Sequence, residues 1–401
     1  MKILQISPQV PFPPNDGGRI SIHGILTSMA SLGHQLHFLT YAKEWSVLDA
    51  EKIIGPFATP HIISFHPKHN VSGGILNLFS PIPYNIEKFH RNEFLKVVQE
   101  IIANESIDVV HIDHLHMGWV VHWLKANTKI PVVLRQHNLE MRIMKRYAEQ
   151  ETNWMIRTYA NLQYRKLLKY EPTICAMFDA VVMISDSDEV ELRQLNPTVK
   201  AMTIPSGISS ALLERKIGKT TGIKIAHIGA MDWAPNRDSL LSFISLHLPE
   251  IIRQFPELKL VAIGRGTDQI EIPDPLKSFV DAKGFVGDVW KELDSCIALV
   301  VPLRIGGGIR IKILEMMAAG IPVISSTVGA EGLPFVSGKI GFIADSSSEY
   351  CAAIQQLIQT PGKREQIIMS ARHTIREQHT WEIIGGRFEQ LYIQLIKNKG
   401  S

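Results

Sequence analysis

The stretch over residues 302–322, PLRIGGGIRIKILEMMAAGIP, constrains the fold more than any other part of the chain. The apolar run before it, 296–301 (CIALVV), shows no polar alternation, which marks a strand buried on both faces in a parallel sheet. Gly306, Gly307 and Gly308 then make a turn, and Ile309, Ile313, Met316 and Met317 recur at helical spacing. Gly320 and Pro322 stop that helix before a new strand at 323–325. A strand, a glycine turn and a helix together form an anion site. Glycines let the backbone approach closely, the first helical N–H groups lack partners, and the helix dipole favours negative charge. Arg310 and Lys312 lie just inside the helix and Glu315 one turn on. A diphosphate at the helix start is one reading, and a tight turn carrying surface charges is the other.

The N-terminus repeats the arrangement. Residues 2–6 form a short apolar strand. The loop PQVPFPPNDGGR is stiff in its prolines and permissive at Gly17 and Gly18. A helix follows from about 19 to 33, with Ile22, Ile25, Leu26 and Met29 on one face. Further strands are expected at 36–40, 61–65, 108–112, 131–134 and 180–184, and helices at 86–104, 116–125, 138–148, 152–177 and 186–195. The segment AMTIPSGISS reads as a hinge. A second alternating series follows, with strands at 223–228, 258–263, near 280, 296–301, 322–325 and 340–343. Its helices fall at 236–254, 309–319 and 347–358, and two more at 361–377 and 381–397 close the chain. At 401 residues the chain is long for one core. The alternation predicts an α/β protein of two doubly wound parallel sheets, whose strand carboxyl ends should face a cleft.

Composition excludes several classes. A formal net charge of +3 does not suit a nucleic-acid binder, and no apolar run is long enough to span a bilayer. Cys175, Cys296 and Cys351 are widely separated, which suggests a reducing compartment and neither a disulfide framework nor a metal cluster. The N-terminus has too short an apolar run for a signal peptide. Charge is uneven, however. Over 135–169 there are eight Arg or Lys against three Glu, with Trp154, Tyr159 and Tyr164 interleaved. Peripheral membrane contact through 135–170 and a solvated helix face both fit that pattern.

Several motifs in order carry a family resemblance: ILQISPQVPFPPNDGGR, QHNLE, HIGAMDWAPNRDSLLSF, GFVGDVWKEL, and ALVVPLRIGGGIRIKILEMMAAGIPVISSTVGAEGL. Together with the late Trp381, they make the chain resemble the family-4 glycosyltransferases of the GT-B fold over nearly its full length. That resemblance implies two Rossmann-like domains. Residues 1–205 would bind the acceptor, with 380–401 packing back on them, and 206–379 would bind a nucleotide-diphosphate sugar. It implies transfer with retention at the anomeric carbon, in the cytoplasm or at the inner face of a membrane, onto a sugar or lipid-linked sugar acceptor. The pathway it suggests is synthesis of cell-surface polysaccharide or glycolipid.

Position by position, Glu315 matches the second glutamate of the family's Glu, seven residues, Glu pattern, and Val289 falls in the loop beside the base. The first glutamate of that pattern is replaced by Gly307. The Arg and Lys usual after the second domain's first strand are absent, and the nearest cation there is Arg237. Arg310 and Lys312 are therefore assigned the diphosphate, with Gly306, Gly307 and Gly308 supplying backbone. Gly17, Gly18 and His137 are candidates for the acceptor or phosphate loop. Where the family often shows a histidine, the chain reads HIDHLH, so Asp113 or His114 is the candidate catalytic group. Preorganised positive charge would stabilise the leaving diphosphate without a metal. No Asp-x-Asp pair stands at a strand end, since Asp186 and Asp188 read as helix caps, so no cofactor or divalent ion is expected. A GT-B-fold nucleotide-sugar epimerase and a non-catalytic GT-B-like binding subunit are the alternatives.

Overall fold

The computed structural model describes the chain except residues 15, 44–46, 68, 69, 219, 221, 306–308, 361 and 401. The chain divides into two compact units, one formed by Met1–Gly207 with Trp381–Ser401 and the other by Ile208–Thr380.

The first unit is built on seven parallel strands: β1 (Lys2–Ser7), β2 (Gln35–Ala42), β3 (Thr59–Ser64), β4 (Val109–Asp113), β5 (Val132–Gln136), β6 (Ala180–Met183) and β7 (Ala201–Thr203). Their order is β3-β2-β1-β4-β5-β6-β7. The order reverses between β1 and β4, so the loops leaving those two strands part to opposite faces and open a crevice at their carboxyl ends. β4, β5 and β6 are buried at every position, as continuous apolar runs in a parallel sheet require.

One face of the sheet is covered by the helix Gly17–Ser31 and by the final helix Trp381–Gly400. Ile384, Phe388, Leu391 and Tyr392 recur at helical spacing and are buried against Ile22, Ile25, Leu26 and Met29. Gly24 is what admits Trp381, because a Cβ there would stand 2.0 Å from the indole ring; at Gly207 it would stand 2.6 Å away.

The second unit has six parallel strands: β8 (Lys224–Ile228), β9 (Lys259–Ile263), β10 (Val280–Gly284), β11 (Ala298–Val301), β12 (Val323–Ser325) and β13 (Phe342–Ile343). The order β10-β9-β8-β11-β12-β13 reverses between β8 and β11. The loop after β11 leads to the helix Ile311–Ala319, which ends at Gly320 in a left-handed conformation. Arg372, from the helix Lys363–Gln378, donates to the carbonyls of Ala318 and Ala319 and so satisfies that end.

Several local expectations are corrected. The segment read as a hinge does contain the boundary between the units, at Gly207–Ile208, but its first residues form β7, the edge strand of the first sheet. The helix expected at 86–104 is two, Tyr84–Glu87 and Asn92–Asn104. The one expected at 236–254 runs as Ala234–Ser242 and Leu248–Gln254 joined by a π-helical turn over Phe243–His247, next to Pro249, which has no N–H to donate. Ser185, not Asp186 or Asp188, caps the helix Asp186–Leu195; Asp188 is instead buried and lies 2.5 Å from Arg142.

Candidate functional site

In the first unit the reversal between β1 and β4 brings together residues far apart in sequence. Gly17 and Gly18 open the helix Gly17–Ser31, where Asp16 accepts from the Arg19 N–H as the cap. A Cβ on Gly18 would lie 3.7 Å from His114 Nε2, so the glycine turn and the histidine loop share one place. His114 has φ 65°, a backbone conformation costly for any residue with a Cβ, and its N–H donates to the Arg135 carbonyl at 2.9 Å. Its ring stacks on His137 with centroids 3.8 Å apart. Burial, with His137 and His116 beside it, holds the His114 imidazole well below its usual pKa, so the ring is neutral.

Asp113 is corrected as a ligand-facing group. Its carboxylate is fully buried and accepts from Gln5 Nε2 at 2.7 Å, with His111 at 3.3 Å, His137 at 3.6 Å and Arg135 at 3.7 Å. Burial opposes its ionisation, but His111, His137 and Arg135 outweigh that and hold the carboxyl well below its ordinary range. On the far side His111 Nδ1 lies 2.6 Å from the Tyr392 hydroxyl, so the last helix closes the network. Arg135 is itself fully buried, its guanidinium donating to the Ser21 carbonyl. Asp113 thus lies against the His137 ring, on which His114 stacks, and is absent from the wall of the neighbouring cavity.

His137 is buried, and Asn138 does not cap the following helix. The carboxylate of Glu171, from the helix Trp154–Cys175, accepts from the backbone N–H groups of Glu140 and Met141 at 3.0 and 2.9 Å. A cavity of about 720 Å³ opens beside this cluster. Its wall carries His114, His116 and His66, the cations Arg19 and Lys43, and the rings of Phe12, Tyr41, Phe65 and Phe89.

In the second unit the reversal between β8 and β11 does the same for the candidate donor groups. Lys312, in the first turn of the helix Ile311–Ala319, reaches across to donate to the Ile228 carbonyl at 2.9 Å, and its Nζ lies 3.4 Å from Asn236 Oδ1. Burial, and Arg310 beside it, lower Lys312 to about 8. Arg310 occupies the cap position, and its side chain makes no capping bond to the first turn. Glu315, half-buried on the next turn, is raised to about 7 by burial.

Val289 begins a short helix capped by Asp288 and packs against the same apolar cluster as Ile309 and Ile311. Arg237 is exposed and lines a cavity of about 680 Å³ with Asp232, Arg265 and Glu271, at the carboxyl ends of β8 and β9. Gly306, Gly307 and Gly308 lie outside the described residues. Among the described residues, no group of three or more His, Cys, Asp or Glu side chains is arranged to hold a metal ion.

Sequence reasoning missed Tyr392, Gln5, Arg372 and Glu171, each of which acts from an element distant in sequence. A clue was available for Tyr392, which continues the buried stripe of Ile384 and Phe388.

A fold of two such parallel sheets is found in solved structures. Sucrose-phosphate synthase from Thermosynechococcus elongatus superposes with a TM-score of 0.71 at 17% identity, covering 99% of this chain and 100% of that one. HepE of Anabaena in complex with UDP-glucose superposes with a TM-score of 0.63 at 13% identity, covering 98% and 100%. The fold is that of the GT-B glycosyltransferases. The family model for Glycosyltransferase Family 4 matches residues 15–212, and that for Glycosyl transferases group 1 matches residues 222–360. An uncharacterized glycosyltransferase of Methanocaldococcus jannaschii is 23% identical over 422 residues, covering 98% of each chain. The chain belongs to the family-4 glycosyltransferases and is a glycosyltransferase enzyme.

Proposed function

We propose that the enzyme moves a sugar from a nucleotide-diphosphate sugar to a sugar or lipid-linked sugar, with retention at the anomeric carbon and without a divalent ion. The observation that carries this reading is the Lys312 ammonium, fixed by the Ile228 carbonyl at the start of a helix. When the bond between the anomeric carbon and the diphosphate breaks, negative charge grows on the leaving phosphate oxygen. A half-buried ammonium with Arg310 beside it at a helix start supports stabilisation of such a charge, and in a low-dielectric setting that is where most rate enhancement arises. Glu315, one turn further on, accepts from ribose hydroxyls. HepE was solved with UDP-glucose, which supports a donor of this class.

The cavity of the first unit takes the acceptor. Its aromatic rings suit the apolar faces of a sugar, and neutral His114 orients the attacking hydroxyl. Synthesis of a cell-surface polysaccharide or glycolipid is the role that the family resemblance favours. The test is incubation with UDP-, GDP- and ADP-sugars and a panel of sugar and lipid-linked acceptors, with NMR of the product's anomeric centre. Transfer with retention, unaffected by EDTA, is expected. Inversion would contradict the stereochemical assignment, and interconversion of donor sugars without any acceptor would point to an epimerase.

A further inference from the structure

Residues 71–79 of the first unit are folded inside out. The helix Val71–Leu76 and the turn Asn77–Phe79 expose Val71 at 81%, Leu76 at 72% and Phe79 at 89%, with Ile75 also exposed. Asn77, by contrast, is buried. Its side-chain amide donates to the Ile82 carbonyl at 2.8 Å and to Glu87 at 2.6 Å, its amide oxygen accepts from Gln163 at 2.9 Å, and its carbonyl accepts from Lys166 at 2.5 Å. The contacts with Gln163 and Lys166 thus pin the segment along the helix Trp154–Cys175 with its apolar side chains pointing into solvent. A contiguous apolar display of this kind marks a contact surface.

Charge indicates what covers it. No Asp or Glu occurs between Glu51 and Glu87. On the supporting helix, Trp154, Arg157, Arg165 and Lys169 share the outward side at helical spacing, all exposed, and Met155 and Ile156 are exposed at its start. Apolar and aromatic side chains beside cations, with no nearby acid on the apolar segment, fit an anionic lipid surface, where rings and aliphatic groups enter the acyl boundary and Lys and Arg meet headgroups. We propose that this face docks the enzyme on an anionic bilayer, with residues 71–79 as the inserting element. The basic stretch 135–169 assists but does not anchor, since Arg135 is buried within the unit and Arg142 is paired with Asp188 and Glu191. The inference deepens the reading of a lipid-linked acceptor, but its test does not depend on that reading.

The experiment is co-sedimentation of the full chain with phosphatidylcholine vesicles and with vesicles containing phosphatidylglycerol, alongside the double variant Leu76→Ser, Phe79→Ser. Binding to the anionic vesicles is expected, weaker on phosphatidylcholine alone and reduced by added salt. The double variant should lose about fivefold or more of the binding while keeping its melting temperature and its affinity for UDP, because both side chains are exposed. Failure of the wild type to bind, or equal binding by the variant, overturns the proposal. A self-associated wild type that the substitutions convert to monomer, with no vesicle binding, assigns the face to a second copy of the chain and overturns it too. Loss of UDP binding by the wild type would count against the glycosyl-transfer reading and leave the vesicle result standing.

Discussion

The Lys312 ammonium is held 2.9 Å from the carbonyl of Ile228, the last residue of β8, so a cation from one side of the strand reversal is fixed to the other. That bond places positive charge where the sequence after β8 supplies none nearer than Arg237. Removing the charge with Lys312→Met should weaken UDP binding about tenfold to a hundredfold, the scale of a lost charge-assisted bond. Calorimetric titration measures it.

The same lysine makes donor binding pH-dependent. Its folded pKa of about 8 lies below the ordinary lysine value because burial and Arg310 oppose the proton. A bound diphosphate requires the ammonium, so affinity is full below about pH 8 and falls as pH rises through that value. The stability effect has the opposite sense. Protonated Lys312 opposes folding, and that cost fades as pH climbs from 8 toward the ordinary lysine value. Titrations at pH 7 and pH 9 should differ several-fold in the wild type and converge in Lys312→Met.

Gly24→Ala should destabilise the first unit by about 1–3 kcal/mol, since the new Cβ would overlap a packed indole ring that cannot swing aside. Gly386→Ala, in the final helix with no heavy atom within 4 Å of its added Cβ, should instead gain up to about 1 kcal/mol. Thermal or urea unfolding of both variants checks the pair.

Glu171→Ala strands the backbone N–H groups of Glu140 and Met141 at a buried helix start. A loss of about 1–3 kcal/mol is expected, with faster amide exchange at those two positions.

His114→Gly separates chemistry from folding. Glycine relieves the φ of 65°, so stability should hold or rise while turnover falls by about a hundredfold. A parallel fall in melting temperature would make His114 structural.

Much of this was legible before the structure. Alternating apolar runs set both sheets and most helix positions, and Lys312 of the 302–322 stretch stands beside β8 as a reversed strand order requires. What one chain's pattern hides is side-chain direction at strand ends. Asp113 is a strand-terminal carboxylate, yet Gln5, His111 and Arg135 draw it inward, and the far nitrogen of His111 is met by Tyr392 from 281 residues away. Local composition failed likewise at Arg135, which counts as surface charge in sequence and is the largest fully buried side chain.

The central claim, that the helix start at Lys312 holds a nucleotide diphosphate, is tested most directly by calorimetric titration of UDP, GDP and ADP into wild type and Lys312→Met. Saturable binding of at least one nucleotide, weakened tenfold or more by the substitution, is predicted. Absence of binding by all three, or binding unchanged in Lys312→Met, would contradict it.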